Sequence, residues 1–229
     1  MLEIYTINSG LDSPFHIFSD EVMKTIEPEL KTFHFKKKQL IFREGFTPTG
    51  MFIMVSGKAK IYRISENGKE VILSIAEKND LLGYHHLISN IEYSSSATVI
   101  EDSELRFIPK ELFFRLVHDY PDFSLALMQS FTREFDKLLD KLVDVTSKHV
   151  RKRVAELLLR LLKRFGTESD NKTINITLLR EDLAHLVVTN TETLVRILSE
   201  FRSEKLIDLQ GKKISILNPK QLTKVSAMY

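Results

Sequence analysis

The 229-residue chain is 43% hydrophobic and 28% charged, an ordinary balance for a soluble protein with one large core or two smaller ones. It has no cysteine, which excludes disulfides, thiolate metal centres and cysteine-ligated iron–sulfur clusters. No run approaches the ~18 apolar residues of a membrane-spanning helix, and "MLEIYTINSG" lacks a basic segment followed by an apolar one, so no membrane association and a cytoplasmic location are expected. The net charge of +2 hides an asymmetry. From Lys148 to the end, 16 Lys and Arg stand against 9 Asp and Glu; residues 1–147 carry 17 against 22. A basic C-terminal third points to a polyanion met at that end only.

In chain order, "SDEVMKTIEPEL" predicts a short helix capped by Ser19 or Asp20. From about Phe33 to Ile108, "QLIFREG", "GMFIMVSG", "KAKIYRI", "EVILSIA", "SATVI" and "LRFIP" read as short strands, rich in β-branched and aromatic residues. "SENGKE" carries Asn67-Gly68, a strong hairpin signal. Many short strands at regular spacing imply a β-barrel or jelly roll.

At Pro121 the period changes, and Pro121 and Asp122 suit a helix start. Met128, Phe131, Phe135, Leu138, Leu142, Val145 and His149 then follow spacings of three and four, a heptad seam that predicts a parallel homodimer, with a stripe packed on the chain's own barrel as the alternative. Leu139 and Val143 would supply a second contact within the chain. A second helix runs from about Lys148 to Phe165, with Gly166 as its C-cap. After the polar loop "TESDNK", "INITLLREDLAHLVV" gives a strand-like piece and a helix. "VTN" is a turn, "NTETLVRILSEFRSEKLI" opens a further helix, and "LIDLQGKKISIL" is a hairpin around Gly211. Helix, short turn, helix and two-stranded wing make a winged helix-turn-helix.

These features together resemble the Crp/Fnr superfamily of bacterial transcription regulators over nearly the whole chain. The carriers are the "REG…MFIMVSGKAKIYR" run, the hairpin, the ordered Gly45, Gly57, Gly68 and Gly83, the long helix and "LREDLAHLVVTNTETLVRIL". The resemblance implies an α+β chain in three parts. Residues 1–120 form a cyclic-nucleotide-binding-like sensor, 121–147 a dimerisation helix and 148–229 a winged helix-turn-helix that binds double-stranded DNA. RNA polymerase would be a further partner if the protein activates transcription. Two alternatives stay open: a signalling protein acting through a protein partner, and a constitutive regulator without a ligand.

A recognition helix places its N-terminal turns on base edges in the major groove. Asn190 or Thr191 caps the first turn and reaches phosphate. Arg196 offers a two-pronged donor for guanine, Glu192 accepts from cytosine or holds the Arg fork flat, and Val195 meets a thymine methyl. Leu194, Ile197 and Leu198 pack on Leu183, Leu186 and Val187. Arg180, Lys212 and Lys213 are phosphate contacts, which position without specifying. The turn between the helices needs positive φ, and Val188 stands where the family often has Gly, at a steric cost.

In the cyclic-AMP-binding members of the family a Gly-Glu pair holds the ribose, an Arg-Ser pair the phosphate, and a Thr-Ser pair on the dimer helix the purine. Here Gly83 is kept, Tyr84 replaces the Glu, Ser95 and Ser96 stand without an Arg between Asn90 and Glu101, and Leu138 and Leu139 replace the Thr-Ser pair. Cyclic AMP is therefore not expected. The candidate effector pocket of Gly83, Tyr84, His86, Ser95, Ser96, Leu138 and Leu139 favours an apolar ligand or none. Haem is not expected either, since His85 and His86, adjacent on a strand, would point to opposite faces. No metal-ligand spacing or catalytic constellation appears, so no enzyme activity is expected and the effector stays unassigned.

Overall fold

The computed structural model describes residues 20–227, Asn67 excepted, so Ser19 and the Asn67 half of the hairpin signal lie outside the described residues. The chain divides into two compact units that meet between Leu138 and Leu139.

The first unit opens with α1 (Asp20–Ile26) and a 3-10 turn at Glu27–Glu29. Eight strands follow: β1 (Lys31–Phe35), β2 (Leu40–Phe42), β3 (Gly50–Ser56), β4 (Ala59–Ile64), β5 (Glu70–Ala76), β6 (Leu81–Leu82), β7 (Ser96–Val99) and β8 (Ser103–Pro109). They form two open antiparallel sheets, ordered β1-β8-β3-β6 and β2-β7-β4-β5, rather than a closed barrel. Apart from the β4–β5 hairpin, each step along the chain changes sheet, which gives the jelly-roll pattern. Alternation in the strands divides two cores. Met54 and Leu82 join Phe42, Tyr93, Val99 and Leu105, while Met51 and Leu81 join Leu112, Phe113, Leu116, Phe123 and Leu127. Gly83 is required by its backbone: its φ is +84°, and a Cβ there would sit 3.0 Å from the Tyr93 ring.

Two helices escaped the sequence reading of this unit. Helix α2 (Tyr84–Ser89) lies between β6 and β7, and α3 (Lys110–Asp119) follows β8. His85 and His86 are therefore on a helix, not a strand, with ring centroids 3.8 Å apart. One is still exposed and the other buried, as the strand reading had also required.

Helix α4 (Pro121–Ser147) carries the predicted seam. Met128, Phe131, Phe135, Leu138 and Leu142 are each more than half exposed, and Val145 is half-buried. Leu139 and Val143 are also exposed, at 45% and 58%, so they do not make the intramolecular contact assigned to them. His149 lies beyond the end of α4, exposed at the N-cap of the next helix.

The second unit continues with α5 (Val150–Phe165), α6 (Arg180–Val187), α7 (Thr191–Ser203), the β9 (Ile207–Gln210) and β10 (Lys213–Ile216) hairpin, and α8 (Pro219–Ala227). Gly166 ends α5 with φ +67° and its N–H on the Leu162 carbonyl, at 3.0 Å. Helix α8 was not anticipated, although Asn218-Pro219 is a start signal: the Asn218 side chain accepts from the Gln221 N–H at 3.0 Å.

Between α6 and α7, Val188 does adopt the left-handed conformation, with φ +58°. The strain is held locally. Arg153, on α5 and almost fully buried, donates from Nε to the Val187 carbonyl at 3.1 Å and from Nη2 to the Val188 carbonyl at 3.2 Å. Its Nη1 reaches the carbonyls of Val145 and Lys148 at 3.0 and 2.8 Å. Val188→Gly should raise stability by about 0.5–1 kcal/mol, the relief of a β-branched αL residue less the entropy of glycine. Arg153→Met should lower it by about 3 kcal/mol or more, because four backbone carbonyls, one buried and three part-buried, lose their donor. Urea titration of the full chain measures both.

Candidate nucleic-acid interface and sensor site

Helix α7 is split lengthwise by its sequence. Leu194, Ile197, Leu198 and Phe201 are buried at 0–3% exposure, and Leu183, Leu186 and Val187 of α6 are buried at 2–6%, so the predicted packing face is present. On the other side Thr191, Glu192, Val195 and Arg196 are exposed. Asn190 is the N-cap: its Oδ1 accepts from the Thr193 N–H at 2.7 Å. That fixes the first turn and leaves Thr191 as its first residue.

Three assigned contacts change in detail. Arg196 does not pair with Glu192; its Nη1 donates to Glu200, one turn onward, at 2.7 Å. Glu200 also accepts from Arg151 Nη1 at 2.9 Å, and Arg151 reaches Glu204 with its other terminal nitrogen. Arg180 is a brace: its terminal nitrogens donate to the carbonyls of Lys212 and Gly211, at 3.1 and 2.8 Å, and so set the wing turn. Lys213 sits on β10 with its Nζ 2.7 Å from Glu168, which leaves Lys212 as the exposed cation of the turn. The sequence reading missed Arg151 and Arg153. Nothing in the local pattern sets them apart from the other basic residues of α5.

In the sensor unit, Gly83 caps α2, and Tyr84 is buried with its hydroxyl donating to Glu134 at 3.1 Å. Burial and the Glu134 charge hold the phenol protonated, far above its usual range. His86 Nε2 accepts from the Ser94 N–H at 2.9 Å and lies 3.0 Å from the Ser94 hydroxyl. Burial first, then His85 and Arg63, push its pKa down to about 4, so the imidazole is neutral at physiological pH. Ser95 and Ser96 are buried, and the Ser96 hydroxyl accepts from the Glu44 N–H at 3.0 Å. Leu138 and Leu139 lie on α4, about half exposed, outside the buried cores of the roll.

No arginine lies between Asn90 and Glu101 in the sequence. The fold brings one from elsewhere: Arg63, on β4, donates from Nε to the Ser94 carbonyl. Arg133, on α4, bonds the Ser130 hydroxyl at 3.1 Å. Among the described residues no group of three or more His, Asp or Glu converges as a metal site, and no helix is long and apolar enough to cross a membrane.

Comparison with known proteins agrees with this geometry. The cyclic nucleotide-binding domain family matches residues 32–120, and the Crp-like helix-turn-helix domain family matches residues 152–225. The chain is 29% identical over 198 residues to a CRP-like cAMP-activated global transcriptional regulator of Mycobacterium tuberculosis, covering 86% of this chain and 88% of that one. It is 26% identical over 194 residues to the fumarate and nitrate reduction regulatory protein of Vibrio cholerae, covering 84% and 77%. Among solved structures, a transcriptional regulator of the Crp/Fnr family from Eubacterium rectale aligns with a TM-score of 0.75 at 24% identity, over 93% and 97% of the two chains. FixK2 from Bradyrhizobium japonicum aligns at 0.74 and 19%, over 87% and 98%. The Mycobacterium tuberculosis, Vibrio cholerae and Eubacterium rectale proteins are described as regulators, not enzymes. With both family domains in order along one chain, and the two-faced helix α7 in the second of them, the protein belongs to the Crp/Fnr superfamily of DNA-binding transcription regulators.

Proposed function

We propose that this chain acts in the cytoplasm as a homodimer that reads a palindromic DNA site, with residues 1–120 as sensor, 121–147 as dimerisation helix and 148–229 as reader. The observation that carries the reading is helix α7, with Glu192, Val195 and Arg196 exposed above a fully buried apolar face. Two such helices would enter half-sites one helical turn apart, ~34 Å.

The energetics favour a transfer of Arg196 from protein to base. Its pair with Glu200 is two-thirds exposed on the Arg side, so it is worth only ~0.3–0.5 kcal/mol. A bidentate contact to guanine contributes ~1–3 kcal/mol of discrimination. Glu200 keeps Arg151 when Arg196 leaves, so no carboxylate is left without a partner. Glu192 has no bonding partner among the described residues and stays available to accept from a base. Resemblance to the family favours half-sites with a G·C pair followed by A·T.

Arg196→Ala should weaken the specific site by roughly 1–3 kcal/mol and relax the preference for G. Lys212→Ala should weaken all sequences about equally. The affinity should fall with salt at a log–log slope near −0.9 per neutralised phosphate. Gel shifts on specific and scrambled duplexes read all three. Unchanged affinity and base preference in Arg196→Ala would remove α7 from the interface. A binding partner that ignored salt would favour a protein target instead. If the protein activates transcription, RNA polymerase is the further partner.

The exposed stripe of α4 supports the dimer. Burying a Phe or Leu there would contribute ~1.5–3 kcal/mol per side chain, and Leu139 and Val143 widen the face that a partner helix could cover. Leu138→Glu would place a charge in that interface from both chains and should give a monomer in sedimentation. An unchanged dimer mass would exclude the seam.

The effector is left open, and cyclic AMP is not the proposed ligand, although one relative is described as cAMP-activated. By the resemblance Tyr84 stands where the cyclic-AMP-binding members have their ribose-binding Glu, and its hydroxyl donates to the Glu134 carboxylate. The Arg63 guanidinium is engaged with the Ser94 carbonyl. Calorimetry should register no binding of cyclic AMP at physiological concentration, and DNA binding should not require it. Micromolar binding that was lost in Arg63→Ala would overturn this and identify Arg63 as the phosphate partner.

A further inference from the structure

One carboxylate on α7 is shared by two arginines. Glu200 Oε1 accepts from Arg196 Nη1 at 2.7 Å, and its Oε2 accepts from Arg151 Nη1 at 2.9 Å. Arg151 is itself firmly placed. Its Nη2 lies 2.7 Å from both oxygens of Glu204, and its guanidinium carbon lies 4.6 Å from the centroid of the fully buried Phe201 ring. Arg151 stands in the first turn of α5. The series Arg151–Glu200–Arg196 therefore runs from the packed side of α7 to its exposed side.

The direction of the Arg196 pair carries information. On a helix, a carboxylate one turn before a cation is the more favourable order. Glu192 stands one turn before Arg196 and Glu200 one turn after it, yet the bond is made to Glu200. The less favourable order is adopted because Arg151 takes one oxygen of Glu200 and turns the other towards Arg196.

We propose that Glu200 is a specificity-determining residue for DNA reading and Arg151 its positioning residue, an inference that rests on the reading of DNA by α7. The carboxylate competes with DNA for Arg196. On an arbitrary sequence a backbone phosphate only exchanges one anion for another, so the exchange gains little and Arg196 stays on Glu200. Guanine offers two acceptors to the two prongs of Arg196, and there the exchange is favourable. Glu200 thus withholds Arg196 from non-specific contacts and widens the gap between the right sequence and the rest. Arg151 sets the strength of that hold. By sharing the carboxylate it loosens the pair with Arg196, and it remains as the partner of Glu200 after Arg196 has left.

The test measures full-length protein on two duplexes across a salt series: one that the unaltered protein selects from a random pool, and a scrambled version of it. An exposed pair of this kind is worth about a factor of two per protomer, so two of them shift affinity by about three- to five-fold. Glu200→Gln should tighten the scrambled duplex by that factor, lower the ratio of selected to scrambled affinity to match, and steepen the scrambled log–log salt slope by roughly 0.9 for each Arg196 released to phosphate. Glu204→Gln removes the same charge without touching Arg196 and should leave the ratio unchanged. Arg151→Gln should weaken the selected duplex, because Glu200 then holds Arg196 alone. The double variant of Arg151→Gln with Glu200→Gln should recover that affinity. In an Arg196→Ala background, Glu200→Gln should no longer move the ratio. An unchanged ratio in Glu200→Gln, an equal fall in Glu204→Gln, or the same Glu200→Gln effect with and without Arg196 would overturn the proposal. An effect of Arg196→Ala without one of Glu200→Gln sinks this proposal alone, whereas unchanged binding in Arg196→Ala sinks the α7 reading and this proposal with it.

Discussion

The guanidinium of Arg153 is the point on which the second unit turns. It is 9% exposed and reaches four backbone carbonyls, those of Val145, Lys148, Val187 and Val188. A charge buried this far is tolerated only when its hydrogen-bonding capacity is met and compensating charge is near. Asp144 and Glu156 supply that charge, and both are bridged by Lys148 Nζ at 2.9 Å. One side chain thereby fixes the end of α4, the break before α5 and the turn that launches α7. The unusual Val188 follows from this. A valine in the left-handed region is held because the carbonyls on both sides of it have a buried donor.

Downstream of that brace, the surface proposed to read DNA is set by bonds of two kinds. Asn190 sets the start of α7, Arg180 sets the wing turn, and Arg196 rests on Glu200. The backbone-directed bonds are structural and stay. The Arg196 pair is solvent-exposed and, in the proposed function, is the one a base would replace. The sensor unit shows the reverse economy, with its polar side chains turned inward on each other: Tyr84 on Glu134, His86 on Ser94, Ser96 on the Glu44 N–H.

Much of this was legible in the sequence. The strands announced themselves through β-branched runs, the change of period at Pro121 marked α4, and apolar spacing separated the packed face of α7 from its polar one. Helices α2, α3 and α8 were missed for different reasons. Helix α2 is six residues long and too short to show a period. Helices α3 and α8 carried legible start signals, Pro109 and Asn218-Pro219, that fell between stronger neighbours. Ion-pair partners were not legible, because Glu192 and Glu200 are both four residues from Arg196 and only the rotamer chooses between them. Arg63 was beyond reach for another reason: its approach to Ser94 is made by sheet pairing between β4 and β7, not by sequence proximity.

The strand pairing of the first unit also bears on how the chain reaches its native state. Lys31 pairs with Phe107 and Leu40 with Thr98, so the roll closes only when distant segments meet. The second unit is built mainly from helices and a hairpin whose partners are close in sequence, Lys213 with Gln210 and Ile216 with Ile207. Loop-closure entropy makes the former slow and the latter quick. Synthesis proceeds from the N-terminus, so the slower unit emerges first and has the remaining translation time in which to close. The order of domains along this chain therefore gives its high-contact-order half the head start, and the DNA-reading half completes last.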